Sequence, residues 1–392
     1  MRFQLAVLGS ILTVGMFSSP SLADCGGSFS DFVQGLKSEA QALGHASDAV
    51  EQFFAGAQQD QKVLKADRAQ GVFKKTFIEF SQAMISKGRI SNGKANAAKY
   101  AKVFNRIEAE YGVSRGVLLA FWALETDYGA VQGDFNTRNA LVTLAHDCRR
   151  PELFRPQIFA ALKLYQRGDF DPARSIGAWA GEIGQVQMLP DDILRNGVDG
   201  DGDGHVDLKR SSPDALMSAA KMLSGLGWRA GEPWLQEIIL PDSLDWGQTG
   251  LNHALPVSAW AFMGVMARDG ALASGLKGSV LLPMGRKGPA FMAYPNFRIY
   301  FEWNKSFVYV TTAAYFATRL EGAQSYNPGN PDPGLSAAQM KSLQQKLAAH
   351  GHDVGKIDGI LGEKTREAVQ IEQARLGLPA DAWPTQALLS AL

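Results

Sequence analysis

Of the ionisable side chains in this 392-residue sequence, Glu125 has the least expected neighbours. It sits near the end of GVLLAFWALETDYGA, residues 116–130. Stepping back three, four and seven positions gives Trp122, Phe121 and Leu118, all apolar, so the carboxyl falls on the stripe that a helix buries. Ser114 suits an N-cap and Gly129 a C′ position, which predicts a helix over about 115–128. Two effects then raise the carboxyl pKa: desolvation beside aromatic rings and the negative end of the helix dipole. A carboxylic acid kept protonated near neutrality is what a general acid for glycosidic cleavage requires. Periodicity alone leaves the opposite outcome open, a glutamate that escapes to solvent from a last turn. Most glycosidases need a second carboxylate across the scissile bond. Asp127 points to a different helix face, and Asp134 lies in the following loop. No partner is evident, which points to chemistry run by one carboxylate.

A second constellation is DGDGDGHVD. Asp199, Asp201, Asp203, Gly204 and Asp207 fit positions 1, 3, 5, 6 and 9 of a calcium loop, with His205 offering its carbonyl. Arg210 stands where an EF-hand has its bidentate glutamate. Oxygen-only donors select Ca²⁺ over transition metals, and four unneutralised aspartates within nine residues would repel one another. A structural calcium ion is therefore expected. No organic cofactor is.

The elements that must hold these groups read as mostly helical. Amphipathic patterns run from about residue 28 to 320, as in SDFVQGLKSEAQAL and PELFRPQIFAALKLYQRG. Strand-like runs are few, and FVYVTT at 307–312 could equally open a final helix. With 39 basic and 39 acidic residues the chain carries no net charge, which argues against nucleic acid or an anionic membrane surface as partner. The N-terminus has one positive charge, a short apolar run and Ser21-Leu22-Ala23, the pattern of a secretory signal peptide over 1–23. No later stretch is long enough to span a membrane, so an exported, soluble, periplasmic protein is expected. A lipobox would want a small residue before Cys25, and Asp24 stands there. In an oxidising compartment the two cysteines, Cys25 and Cys148, favour a disulfide. Residues 322–334, GAQSYNPGNPDPG, mark a linker between a large domain (24–321) and a small one (335–392) with helical segments near 336–350, 363–376 and 384–391.

Taken in order, ALETDYG, FNTRNALVTLAHDCRR, AWAGEIGQVQMLP, VDGDGDGHVDLKRSSPDAL, NHALPVSAW and PNFRIYFEWNKS resemble the MltB-type lytic murein transglycosylases, whose domain is lysozyme-like. The resemblance implies a mainly α chain in which Glu125 is the sole acid/base. It would cleave the β-1,4 bond between N-acetylmuramic acid and N-acetylglucosamine in peptidoglycan glycan strands and leave a 1,6-anhydromuramic acid end. It further implies that Gln187 lines the cleft, that Arg149 and Arg150 bind peptide or lactyl carboxylates, and that Asp214 closes the calcium loop. Asn304 follows the family's tyrosine position, but Trp303 stands there: a ring that can stack on a sugar without the tyrosine hydroxyl. Ala178 replaces a usual serine, and Glu182 replaces a small apolar residue, adding a carboxylate near the cleft.

The last residues, with DGILGEKT and GLP, resemble a three-helix peptidoglycan-binding domain; Glu372 stands where an aromatic is frequent and Ala382 where glycine is. Tethering such a module would raise the local concentration of the catalytic domain on the polymer. Two other readings remain, a water-using muramidase with Glu182 as second carboxylate and a non-catalytic wall-binding scaffold.

Overall fold

The computed structural model describes residues 25–69 and 75–392; the signal peptide expected at 1–23 lies outside them. The element everything else packs around is the helix Arg115–Thr126. Ser114 caps it by accepting from Gly116 N at 3.2 Å, and the helix ends where Asp127 and Tyr128 both take positive φ. It stops about two residues earlier than its apolar pattern predicts, because Asp127 itself adopts the left-handed cap. From Gly116 to Ala123 every residue is buried, so this helix is enclosed rather than amphipathic.

Its main partner is Phe307–Leu320, the helix opened by the FVYVTT run. Contact is close: a Cβ on Gly116 would lie 2.8 Å from Ala317 O. Around this pair, Thr137–His146 packs on Pro151–Arg167, and Ala101–Tyr111 packs on Ser212–Gly225. The layers share one continuous apolar core that includes Phe104, Phe121, Trp122, Leu141, Leu216 and Phe316.

The sequence reading did not anticipate the sheet. Five antiparallel strands lie in the order Leu255–Pro256, Lys277–Leu281, Phe291–Ala293, Leu235–Ile239 and Met266–Ala267. Ala293 pairs with Ser279 on one side and Leu235 on the other. The strands are two to five residues long, too short for alternation to register in the sequence. A separate apolar cluster centred on Trp260, Val280 and Met292 packs against it.

The C-terminal module has helices Ala337–Ala349, Glu363–Arg375 and Gln386–Ala391 around Leu343, Leu347, Val369 and Leu388. Ala382 sits at φ 59, the left-handed region, which accounts for glycine at that place in the domains it resembles. Buried Glu372 is surrounded by His350, His352 and Arg375, and their hydrogen bonds hold its carboxyl down at about 2. The segment 322–334 has no helix or strand, yet it is pinned. Tyr326 stacks among Phe77, Phe291 and Tyr315, and Asp332 pairs with Lys287 at 2.7 Å.

Cys25 and Cys148 are bonded, with Cα atoms 5.2 Å apart and 123 positions between them in sequence. The link holds the first described residues against the helix Thr137–His146, where Gly26 N also donates to His146 O. Closing a loop of this size lowers the entropy of the unfolded chain, a term worth about 2–5 kcal/mol. Cys25→Ser and Cys148→Ser are each expected to lose stability in that range in urea titrations, and reductant is expected to do the same to the wild-type protein.

Candidate active site

Glu125 projects from the last turn of its helix into a nest of aromatic side chains. Trp303 Nε1 donates to Glu125 Oε1 at 2.9 Å, and Tyr309 OH donates to the same oxygen at 2.5 Å. Both donors come from the far end of the chain, from Tyr300–Trp303 and Phe307–Leu320. The Trp303 indole stacks on Phe121 at 4.4 Å, one turn before the acid. Burial pushes the Glu125 carboxyl up, and the two donors, which favour the charged form, pull against that. Both converge on Oε1, which leaves Oε2 for an incoming group.

This corrects the expectation for Trp303. The indole N–H supplies the hydrogen bond that the missing tyrosine hydroxyl was thought to forfeit, and one face of its ring is spent on Phe121. Asn304 caps its own turn, accepting from Ser306 N at 2.9 Å. Tyr309 was missed altogether; nothing local to it distinguishes a buried helix tyrosine from one that grips an acid 184 positions away.

Across from the acid lies the segment 176–188. The strand Ile176–Gly177 pairs with Phe135–Asn136, and Ala178 N donates to Glu182 O at 2.9 Å. Gly177 is required there, since a Cβ would come within 2.0 Å of Glu182 O. Thr126, next to the acid, ties the segment down by donating to Gln185 O at 2.6 Å. Gln187 has φ 52 and gives its amide N–H to Gly184 O at 2.8 Å. Its amide nitrogen also donates to Gln132 O at 3.4 Å, so both N–H groups are taken up by backbone and the carbonyl Oε1 remains for a ligand.

Arg149 and Arg150 are engaged in an ion pair that the sequence motif does not show. Both donate to Asp67 Oδ1, at 2.7 and 2.5 Å, and Asp67 is almost wholly buried. A buried carboxylate with no partner costs several kcal/mol, and the two guanidiniums are its counter-charge. The sequence motif shows the arginines and not the aspartate, which lies more than eighty positions upstream.

The remaining carboxyls near the acid differ sharply. Asp127 pairs with Arg89 at 3.0 Å. Asp134 is exposed. Glu182 is coupled electrostatically to Glu125; burial first, and then that neighbouring charge, push its carboxyl up to about 7. Its Oε2 is buried without a hydrogen-bond partner among the described residues.

In the acidic loop, Asp199, Asp201 and Asp203 bring their carboxylate oxygens within 4.8 Å of one another. Asp207 and Asp214 are not in that group. Asp214 accepts from Gly200 N at 2.9 Å and Asp207 N at 2.8 Å, and Asp207 accepts from Lys209 N and Arg210 N. Asp214 gives both oxygens, and Asp207 its Oδ1, to backbone donors that shape the loop, and Asp199, Asp201 and Asp203 accept backbone N–H bonds as well. The imidazole of His205 lies 3.2 Å from Asp169.

Comparison with known proteins follows the same lines. The transglycosylase SLT domain family model matches residues 28–318, and a peptidoglycan binding domain model matches residues 336–392. SltB3 from Pseudomonas aeruginosa, solved with NAG-anhNAM-pentapeptide, is 37% identical, with TM-score 0.86 over 93% of this chain and 99% of that one. SLT35 from Escherichia coli, solved with calcium, shares the fold at 23% identity, with TM-score 0.64 over 78% of this chain and 98% of that one. Membrane-bound lytic murein transglycosylase B from Escherichia coli is 29% identical over 157 residues, which is 40% of this chain and 43% of that relative's length.

The Glu182 carboxyl has a measurable thermodynamic signature. Its ordinary value is 4.5 and its folded value about 7, so folding takes up a proton between these pH values. Stability from this group is present below pH 4.5 and is lost as pH rises through 7. Glu182→Gln is expected to flatten that slope, gaining on the order of 2–3 kcal/mol relative to wild type above neutrality. Chemical denaturation at a series of pH values reads it, and parallel curves for the two proteins would refute the assignment.

Proposed function

Because the chain belongs to the transglycosylase SLT domain family, we propose that it is a lytic transglycosylase of peptidoglycan, cutting the β-1,4 bond between N-acetylmuramic acid and N-acetylglucosamine. One observation carries the mechanism: a buried carboxyl, raised in pKa, with two donors on one oxygen and the other oxygen free. Protonated Glu125 gives its proton to the glycosidic oxygen as the C1–O bond breaks. The carboxylate left behind is the state that Tyr309 and Trp303 stabilise, so they act after the first proton transfer. Glu125 then takes the proton of the muramoyl C6 hydroxyl, whose oxygen bonds to C1 and closes the 1,6-anhydro ring. The acid is regenerated and no water is consumed. A nucleophile already attached to the reacting sugar has a large effective molarity.

The water-using alternative needs a second carboxylate that is ionised. Asp127 is tied to Arg89, and Asp134 is exposed. Glu182, its carboxyl raised to about 7 by burial and by the Glu125 charge, is the carboxylate that this alternative would use, and digestion in heavy-oxygen water separates the two readings. Gln187 Oε1 is our candidate contact to a sugar N–H or hydroxyl. The same substrate places the enzyme outside the cytoplasmic membrane, in keeping with the leader-like N-terminus and periplasmic export. Among the described residues no helix is long and apolar enough to cross a membrane. The C-terminal module is proposed to hold the enzyme on the wall.

The converging carboxylates of Asp199, Asp201 and Asp203 suit a hard cation, and we assign the loop to a structural Ca²⁺. The ion would neutralise the charges that otherwise repel, with Asp207 and Asp214 fixing the loop around it.

Two outcomes test this reading. Digestion of purified sacculi in heavy-oxygen water is expected to yield 1,6-anhydromuramic ends without label, and Glu125→Gln to lose at least a thousandfold in turnover with an unchanged melting curve; label in new muramic acid ends would make the enzyme a hydrolase. For the loop, calcium at a hundredfold excess over its Kd adds about 2.7 kcal/mol to folded-state stability. Melting curves in millimolar Ca²⁺ are expected to move upward relative to chelator, and Asp201→Asn with Asp203→Asn to abolish the difference.

A further inference from the structure

Where the C-terminal module meets the catalytic domain, charges of opposite sign from one helix, without forming an ion pair, line a single crevice. Its empty volume is about 490 Å³, counting the part open to solvent. Arg366, on the helix Glu363–Arg375, is 8% exposed and lines it. Its Nη2 donates to Pro283 O at 2.7 Å and its Nη1 to Leu282 O at 3.4 Å, both across the domain boundary. The guanidinium lies over the ring of Phe307 at 4.5 Å. Its Nε is buried with no partner, and no carboxylate pairs with it among the described residues. The nearest acid, Asp381, is already engaged by Arg286. Burial draws the guanidinium down to about 9. A cation this desolvated, held by carbonyls and rings alone, lacks the counter-charge that such sites ordinarily hold.

Glu363 and Glu367 line the same crevice. Neither is ion-paired among the described residues. Both accept from the side-chain amide of Asn252, at 3.0 Å for Glu363, and Arg298 fixes that amide by donating to Asn252 Oδ1 at 3.1 Å. One amide thus gathers two carboxylates without neutralising either. The helix carries the guanidinium and both carboxylates within a turn and a half, yet they do not close on one another.

We propose that this crevice binds the zwitterionic end of a peptidoglycan stem peptide, with Arg366 taking a carboxylate and Glu363 and Glu367 an ammonium group. A ligand bearing both charges satisfies both sides at once, whereas a simple anion meets two carboxylates and a simple cation meets a guanidinium. The source assigned, wall peptide, rests on the wall-anchoring role proposed above for the C-terminal module.

The test uses the full chain carrying Glu125→Gln, so that no glycan is turned over. The probe is a free sugarless stem tripeptide whose last side chain ends in an ammonium and a carboxylate, titrated calorimetrically beside its side-chain carboxamide. The carboxamide is expected to bind at least tenfold more weakly. Glu363→Gln with Glu367→Gln, on the accessible rim, is expected to weaken the tripeptide by a similar factor while keeping the melting curve, and Arg366→Lys to weaken it while also lowering the melting temperature, since it loses the carbonyl grip. Equal affinity for tripeptide and carboxamide, no effect of the rim pair, or glycine binding as tightly as the tripeptide would each overturn the proposal. Co-sedimentation with intact sacculi reads the anchoring role separately. Protein that pellets but ignores the tripeptide refutes this site alone, and protein that does neither refutes both.

Discussion

The structure turns on one conflict, a carboxyl placed where water cannot reach it well. Burying Glu125 favours its neutral form, which suits the first proton transfer of the proposed mechanism. The same burial would make the carboxylate that follows too costly, and a site that only raised the pKa would stall after half a reaction. Tyr309 and Trp303 resolve this by offering two hydrogen bonds to Oε1 that matter most when the charge appears. The acid is strong enough to give and its conjugate base is stable enough to exist. Much of the surrounding architecture is explained by the need to bring those two donors, nearly two hundred positions downstream, against the last turn of one helix.

That need explains why Arg115–Thr126 and Phe307–Leu320 form the central pair. Gly116 lets their backbones approach, and Phe121 supplies the surface on which the Trp303 ring is fixed in plane. Opposite, Gly177 permits the tight pairing that sets Glu182 within electrostatic reach of Glu125. Glu182 is a second carboxyl whose ionisation is opposed by burial and by the charge that Glu125 carries when it has given up its proton.

What could be read from the amino-acid order was whatever local rules decide. Ser114, the apolar run and the carboxyl within it announced the acid helix, and the ordered motifs announced the family. The C-terminal helices were visible for the same reason. What could not be read depended on distant partners. Trp303 looked like a sugar platform because its register against Phe121 is a tertiary fact. Arg149 and Arg150 looked free because Asp67 is far upstream. The sheet escaped notice because strands such as Leu255–Pro256 and Met266–Ala267 exist only through their neighbours.

The pinned segment 322–334 and the carbonyl grip of Arg366 on Leu282 and Pro283 give the module little freedom to swing. Gln370 adds two more bonds across the same boundary, to Trp246 O and Thr249 O. A module on a slack tether would search a volume of wall at random. One clamped in this way acts as a rigid spacer, because the offset between its surface and the Glu125 helix is set by the fold.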